Sequence, residues 1–136
     1  RFKPIQRGKR FLDSLTVPAA RPLWLTDHDL ETYAAAFRHS GFRGGLNWYR
    51  NVNRNWEQAA DLADAVVAQP ALFVTGSRDP ARNPTAIHRL HEVVPDLRVS
   101  AVLEGCGHWT QQERPEEVTQ LLLEFLNAVC DASRTM

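Results

Sequence analysis

The sequence predicts an α/β fold built on a parallel sheet, and two observations in its second half support this prediction. Residues 71–75 form a continuous apolar run that ends at Gly76, which is typical of a strand buried on both faces of a parallel sheet. A helical pattern separates this run from a second predicted strand, Leu97 to Leu103. The return through a helix makes the unit a right-handed βαβ crossover. We therefore expect the order strand, helix, strand, helix.

Two helices are predicted around the second strand. Asn83 can cap the first helix, Pro84 suits its first position, and Pro95 ends it. We expect its inner face to carry Ile87, Leu90, His91 and Val94. The last helix begins at Pro115 and has the clearest amphipathic pattern of the chain. Its apolar stripe consists of Val118, Leu121, Leu122, Phe125, Leu126 and Val129.

The first half of the sequence opens with a well-marked helix. Thr26 can cap a helix that begins at Asp27, and Asp29 then completes a capping box. Gly41 supplies the stop, because glycine readily adopts the backbone conformation that ends a helix.

A glycine-rich turn over residues 41–45 leads into a second predicted helix, from residue 46 to about residue 56. This short segment carries three large aromatic residues, Trp48, Tyr49 and Trp56, which suggest a pocket wall or a packing surface. The break between the helical half and the strand-containing half falls near residues 57–70. We therefore divide the chain into part of a helical lid, residues 1–58, and part of an α/β core, residues 59–136.

Composition narrows the classes of function. Sixteen basic residues balance sixteen acidic ones, so no overall field favours nucleic acid or an anionic membrane, and the basic run in residues 1–10 is interpreted as solvated surface. No apolar stretch reaches the roughly 18 to 20 residues of a membrane span. Cys106 and Cys130 form neither a disulfide framework nor a zinc pattern, which favours a reducing, cytoplasmic location. His88 and His91 have metal-compatible spacing, but no nearby carboxylate or cysteine completes a site, so we expect no metal.

Two titratable residues follow the two predicted strands. Asp79 comes shortly after the first strand and His108 shortly after the second. Parallel neighbours lie about 4.8 Å apart, and ligands of open α/β sheets bind beyond the carboxyl ends of the strands. We therefore expect the two side chains to meet and form an oriented base. The alternative is that Asp79 caps a turn and His108 is an ordinary loop residue, but their joint placement favours the pair.

Several segments resemble the α/β-hydrolase-fold epoxide hydrolases of the soluble epoxide hydrolase family. Residues 22–56 are similar to that family's cap region, and residues 70–79 and 105–115 resemble its acid and histidine loops. The string LNWYRN at residues 46–51 is highly specific, whereas many α/β hydrolases share the histidine loop. The match covers nearly everything in residues 22–126. It implies the C-terminal part of an α/β-hydrolase fold, the last βαβα of the parallel sheet, with the second half of a helical cap.

The resemblance also implies a reaction. In the family two cap tyrosines grip the epoxide oxygen, an aspartate attacks carbon to form an ester, and an Asp–His pair activates the water that hydrolyses it. By this resemblance Tyr49 is one acid, His108 is the base and Asp79 orients it, and no cofactor is implied. Opening an epoxide creates an alkoxide that needs a proton donor, and a tyrosine with an ordinary pKa of about 10 stays protonated at neutral pH.

A small-molecule epoxide is thus the expected substrate. We predict that Phe42, Leu46 and Trp109 line its pocket, with aromatic packing beneath a lid as the alternative.

The nucleophile that the resemblance calls for is not found in this sequence. Only residues 77–81 match the spacing of a nucleophile turn, and Pro80 has no N–H for the oxyanion hole. A second cap tyrosine is not found either, since Tyr33 does not fall at that position. Two parallel strands also leave an edge unpaired, and the chain starts at Arg1. We therefore expect a fragment that lacks the N-terminal half of the fold and does not turn over epoxides alone.

Three other functions stay open from the sequence. A haloalkane dehalogenase or an esterase of the same fold would use a similar histidine, but neither needs a lid tyrosine. A non-catalytic dimerisation module, with the cap aromatics as the surface of a homodimer, is the alternative from another class.

Overall fold

A computed structural model of the chain describes Gly8, Asp13 and residues 18–134. Apart from Gly8, the basic run at the start of the sequence lies outside the described residues. The described chain divides into two compact units: residues 18–65 form the first, and residues 66–134, grouped with Gly8 and Asp13, form the second. The assignment of lid and core to residues 1–58 and 59–136 stays a prediction.

The first unit opens with helix α1 (Asp27–Ser40), which the capping pattern predicted. The hydroxyl of Thr26 accepts a hydrogen bond from the N–H of Asp29 at 3.1 Å, and the Asp29 carboxylate accepts one from the N–H of Thr26 at 2.9 Å. Gly41 ends the helix with a φ of 65° and donates its N–H to the carbonyl of Phe37. Both ends of α1 therefore lie where the sequence placed them.

The second predicted helix is instead two helices, α2 (Arg43–Arg50) and α3 (Val52–Gln58), followed by a short 3₁₀ turn. The expected turn over residues 41–45 needs only Gly41, because the two glycines that follow are helical. The break falls at Asn51, whose side-chain amide and backbone N–H both donate to the carbonyl of Asn47. A side chain that hydrogen-bonds the local backbone in this way competes with the helical ladder.

The second unit is built on strands β1 (Ala71–Gly76) and β2 (Leu97–Leu103), which pair in parallel. Leu72 is opposite Val99, and the pairing continues in register to Gly76 opposite Leu103. Both predicted strands and their parallel direction are confirmed. Because the strands end together, the loops that follow them begin at the same edge of the sheet.

The crossover from β1 to β2 contains helices α4 (Pro84–His88) and α5 (Leu90–Val93) in place of one continuous helix. The side chain of Asn83 caps α4 by accepting hydrogen bonds from the N–H groups of Thr85 and Ala86, as predicted. Val94 is buried, but His91 is exposed, so its placement on the inner face was wrong. The helix breaks at Arg89, and the ring of His91 lies beside that of His88, which is also exposed.

Two helices follow β2. The short helix α6 (Thr110–Glu113) was not predicted, whereas α7 (Pro115–Arg134) begins at the predicted proline. Val118 of α7 packs in a small core, the other members of which are Val74, Leu103, Cys106 and Leu121. The rest of the apolar stripe is less buried than its pattern predicted, since Leu122 and Leu126 are exposed. Within the described residues, none of the helices is long and apolar enough to cross a membrane.

Candidate active site

Asp79 and His108 meet at the carboxyl ends of β1 and β2. The Nδ1 atom of His108 lies 3.0 Å from Oδ2 and 3.1 Å from Oδ1 of Asp79. Asp79 Oδ1 also accepts a hydrogen bond from the N–H of Ala81 at 2.8 Å, which closes the turn that follows β1. The carboxylate therefore caps its own turn and holds the imidazole at the same time.

A close approach between the two loops brings the pair together. A Cβ atom at Gly76 would lie only 2.1 Å from the carbonyl oxygen of Gly107 and 2.3 Å from that of Cys106. Just beyond this point the N–H of Arg78 donates to the Cys106 carbonyl at 2.8 Å. Only glycine at position 76 leaves room for the histidine loop to lie against the end of β1, because no other residue lacks a Cβ.

Ser77 links the same two loops by hydrogen bonds, and this role was not predicted from the sequence. Its hydroxyl accepts a hydrogen bond from the N–H of Gly105 at 2.8 Å and donates to the carboxylate of Glu104 at 3.1 Å. Its backbone N–H donates to the carbonyl of Leu103 at 2.9 Å. A small hydroxyl residue directly after a glycine at the end of a strand is the sequence signal that could have indicated it.

The electrostatics of the pair favour a charged carboxylate. Burial acts to raise the pKa of Asp79, but hydrogen bonds from the N–H of Ala81 and from His108, together with the charge of His108, hold that pKa below its ordinary value. A charged carboxylate only accepts hydrogen bonds, so the shared proton belongs to Nδ1 of His108. Nε2 is then free to accept a proton, which is the state that a general base requires.

Asp79 and His108 differ in how much of each side chain is exposed to solvent. The side chain of Asp79 is 11% exposed, whereas that of His108 is 53% exposed. Trp109 packs edge-on against the imidazole with 5.1 Å between the ring centroids. The acid is therefore shielded, and the base faces open space that a water molecule or a substrate can enter.

A cavity of about 420 Å³ lies beside the pair. Its walls are mainly apolar, and its lining includes Asp79 and His108 together with Phe73, Ile87 and Leu90. Trp109 is not among the residues that line it. An apolar cavity with a few converging polar groups is the usual form of a small-molecule site.

Comparison with known proteins identifies relatives of one kind. The chain is 46% identical to epoxide hydrolase A of Mycobacterium tuberculosis over 119 residues, which cover 88% of the chain. A solved structure of epoxide hydrolase A from Mycobacterium thermoresistibile matches with a TM-score of 0.79 at 47% identity, over 86% of the chain and 37% of that structure. An epoxide hydrolase from an endophytic Streptomyces matches with a TM-score of 0.85 at 40% identity, over 92% of the chain and 38% of that structure.

This chain is a relative of the α/β-hydrolase-fold epoxide hydrolases. It spans 37% of the length of the Mycobacterium tuberculosis epoxide hydrolase, and it matches a C-terminal portion of the fold. The predicted fold class is thus confirmed. No protein-family model matches the chain. The relatives do not favour the dehalogenase and esterase alternatives.

The other predicted site residues of this epoxide hydrolase relative lie mainly in the first unit. Tyr49 lies on α2 and is 79% exposed, and Leu46 is exposed on the same helix. Phe42 stacks on Phe37 with 4.5 Å between the ring centroids, which is the packing that we gave as the alternative to a substrate contact. The roles of Tyr49, Phe42 and Leu46 toward a substrate, and that of Trp109, stay predictions.

Cys106 is unsuited to nucleophilic chemistry in this site. Burial raises the pKa of its thiol, and the nearby charge of Glu113 raises it further. Its side chain is fully buried within the small core. Among the described residues, no group of three or more His, Cys, Asp or Glu side chains could hold a metal ion.

Proposed function

We propose that this chain supplies the water-activating pair of an epoxide hydrolase, an enzyme that converts an epoxide and water into a vicinal diol. The observation that carries the proposal is the contact of 3.0 Å between His108 Nδ1 and Asp79 Oδ2, at the rim of an apolar cavity. Relatives named as epoxide hydrolases match most of the chain, which supports the same activity.

His108 and Asp79 act in the second half of the proposed reaction. A nucleophilic aspartate, which is not found in this sequence, first attacks an epoxide carbon, so that the ring C–O bond breaks and an alkyl ester forms. Nε2 of His108 then takes a proton from water as the water oxygen attacks the ester carbonyl. The imidazolium then gives this proton to the leaving diol oxygen. The other proton of the water, left on the new carboxylic acid, replaces the one that the ring-opened oxygen takes up, which regenerates the carboxylate. Asp79 stabilises the transient imidazolium through its contact with Nδ1.

Tyr49 acts in the first half of the proposed reaction. As the ring opens, negative charge develops on the epoxide oxygen, and the phenol of Tyr49 donates a hydrogen bond to it. Two features support this role: the side chain is 79% exposed on α2, and the surrounding residues form the family-specific string. A dehalogenase or an esterase would make no use of this hydroxyl.

A chimaera of this chain with a related epoxide hydrolase tests the proposal. The chain replaces the matching segment of Mycobacterium tuberculosis epoxide hydrolase A, to which it is 46% identical. We expect the chimaera to hydrolyse styrene oxide, and we expect Tyr49→Phe to slow ring opening about 10- to 100-fold, as loss of a hydrogen bond to developing charge does.

Tyr33→Phe is the matched control, because it removes the chain's other tyrosine hydroxyl and should leave the rate unchanged. Chloroalkanes and p-nitrophenyl esters are offered in parallel. Unchanged ring opening in Tyr49→Phe, or faster turnover of a chloroalkane or an ester than of the epoxide, would exclude the assignment.

Self-association through the cap is a second candidate. Trp48 and Trp56 are 78% and 80% exposed, and apolar surface of this kind is commonly covered by a partner. Sedimentation of the chain with and without Trp48→Ser decides it: a dimer that dissociates on substitution supports a homodimer interface.

We also propose a cytoplasmic location, because both cysteines are free thiols.

A further inference from the structure

Glu113 contacts the loop that carries His108 at two points. One carboxylate oxygen accepts a hydrogen bond from the N–H of Gly107 at 2.7 Å, and the other accepts one from the N–H of Trp109 at 3.2 Å. Gly107 and Trp109 flank His108 in the sequence, so a single carboxylate spans the residue that bears the imidazole. Hydrogen bonds to a charged acceptor are about twice as strong as those between neutral groups.

The local backbone is built to admit this carboxylate. A Cβ atom at Gly107 would lie 2.7 Å from one Glu113 oxygen and 3.3 Å from the carboxyl carbon. Any side chain at position 107 would therefore push the carboxylate off the loop. Helix α6 places Glu113 one turn after Trp109, and the side chain reaches back to the N–H of the residue that precedes the helix.

The other hydrogen bonds of the loop backbone each hold it on one side of His108 only. The loop contains Gly105 in the left-handed region, with a φ of 71°, and Gly107, and glycine leaves the backbone more freedom than any other residue. Ser77 holds the loop at Gly105, before His108, but makes no hydrogen bond to Trp109, the residue after His108. Glu113 alone among these contacts holds the backbone on both sides of His108.

We propose that Glu113 is a positioning residue for the base: its carboxylate fixes the backbone on both sides of His108 and thereby keeps the imidazole in hydrogen-bonding contact with Asp79. It reaches the reaction only through His108. The catalytic consequence rests on the proposed function, whereas the effect on the imidazole does not.

Ring-nitrogen chemical shifts of His108, recorded by NMR on the 136-residue chain, test the proposal directly. In the wild type we expect the neutral ring to carry its proton on Nδ1. The shift seen in Asp79→Asn, which removes the carboxylate partner, is the reference for losing this preference. We expect Glu113→Gln to shift the proton toward Nε2 in the same direction, because an amide has one acceptor oxygen for two N–H donors. Glu116→Gln, which removes the same charge at the exposed start of α7, should leave the ring unchanged.

An unchanged His108 ring in Glu113→Gln, with altered amide resonances for Gly107 and Trp109, would overturn the proposal. Should that variant fail to fold, Gly107→Ala displaces the carboxylate without removing it and should give the same shift. Hydrogen exchange in the wild type adds a measurement that needs no variant: both amides should be protected, and exchange at unstructured rates would also overturn the proposal.

Kinetics of the chimaera supply the catalytic readout. We expect Glu113→Gln to lower kcat about tenfold and KM with it, so that kcat/KM changes little, because the residue acts on ester hydrolysis, the step that follows ring opening. An unchanged kcat would contradict the positioning role. A chimaera with no epoxide turnover would defeat the proposed function, while the ring-nitrogen shifts would still decide the role of Glu113.

Discussion

Asp79→Asn is the substitution whose consequences follow most directly from the geometry. The carboxylate receives the Nδ1 proton of His108 at 3.0 and 3.1 Å, and its side chain is only 11% exposed. Asparagine keeps the shape and can still accept from the N–H of Ala81. It loses the charge, however, and can present its NH₂ group to the imidazole.

The expected loss can be worked from that contact. A hydrogen bond to a charged group contributes about 1.5 to 3 kcal/mol, which corresponds to a factor of about 10 to 150. We expect ester hydrolysis by the Asp79→Asn chimaera to slow by at least that factor, because the imidazolium loses its counter-charge as well. Single-turnover measurement of diol release gives this rate. Asp96→Asn, at the exposed ion pair with Arg98, is the control and should change the rate less than twofold. Equal rates for the two variants would refute the reasoning.

The same pair predicts how stability depends on pH. The folded pKa of Asp79 lies below its unfolded value, so the carboxylate contributes stability that is present above about pH 4 and is lost as the pH falls through the folded pKa. Asp79→Asn has no such carboxylate to protonate. We therefore expect urea titrations of the chain to show a difference in unfolding free energy between wild type and Asp79→Asn that shrinks as the pH falls below about 4. A difference that is constant or grows toward acid would contradict the lowered pKa.

Three further predictions concern the fold. Gly76→Ala should separate the acid and histidine loops and destabilise the chain by more than about 2 kcal/mol in urea titrations, because a Cβ there meets a backbone oxygen at 2.1 Å. Gly44→Ala, in open helical space, is the control and should stabilise the chain by up to about 1 kcal/mol. Equal effects of the two substitutions would contradict the crowding at Gly76. Thr26→Ala should cost about 1 kcal/mol through loss of the capping box of α1, measured in the same way, and no loss would mean that the cap is not formed. Iodoacetamide at neutral pH should label the exposed Cys130 well before the buried Cys106, and mass spectrometry of the peptides would expose the reverse order.

The regular elements were predictable where one local signal decided the outcome. The strand Ala71–Gly76 follows from an apolar run and Leu97–Leu103 from a segment rich in apolar residues, and the ends of α1 follow from its caps. The break at Asn51 was not predictable from periodicity, because it depends on a side chain that binds the carbonyl of Asn47 in place of continuing the ladder. The exposure of Leu126 was not predictable either, since an apolar stripe shows what a helix can bury but not what covers it.

In the candidate site, too, some features were predictable from the sequence and others were not. The meeting of Asp79 and His108 follows from sequence, because parallel strands that end together bring their loops to one edge. Ser77 and Glu113 act on backbone N–H groups, and which N–H groups they reach depends on a loop path that the sequence does not reveal. The role of Tyr49 depends on resemblance, since no spacing rule links this residue to Asp79 and His108.

The central claim is that His108 activates the water that releases the diol. Mass spectrometry of the chimaera after a brief exposure to styrene oxide tests it, with His108→Gln beside His88→Gln, an exposed histidine outside the site, as control. The account predicts that His108→Gln accumulates a covalent adduct with the mass of one epoxide and releases no diol, while His88→Gln turns over like the unmodified chimaera. Sustained diol release by His108→Gln, with no adduct, would contradict it.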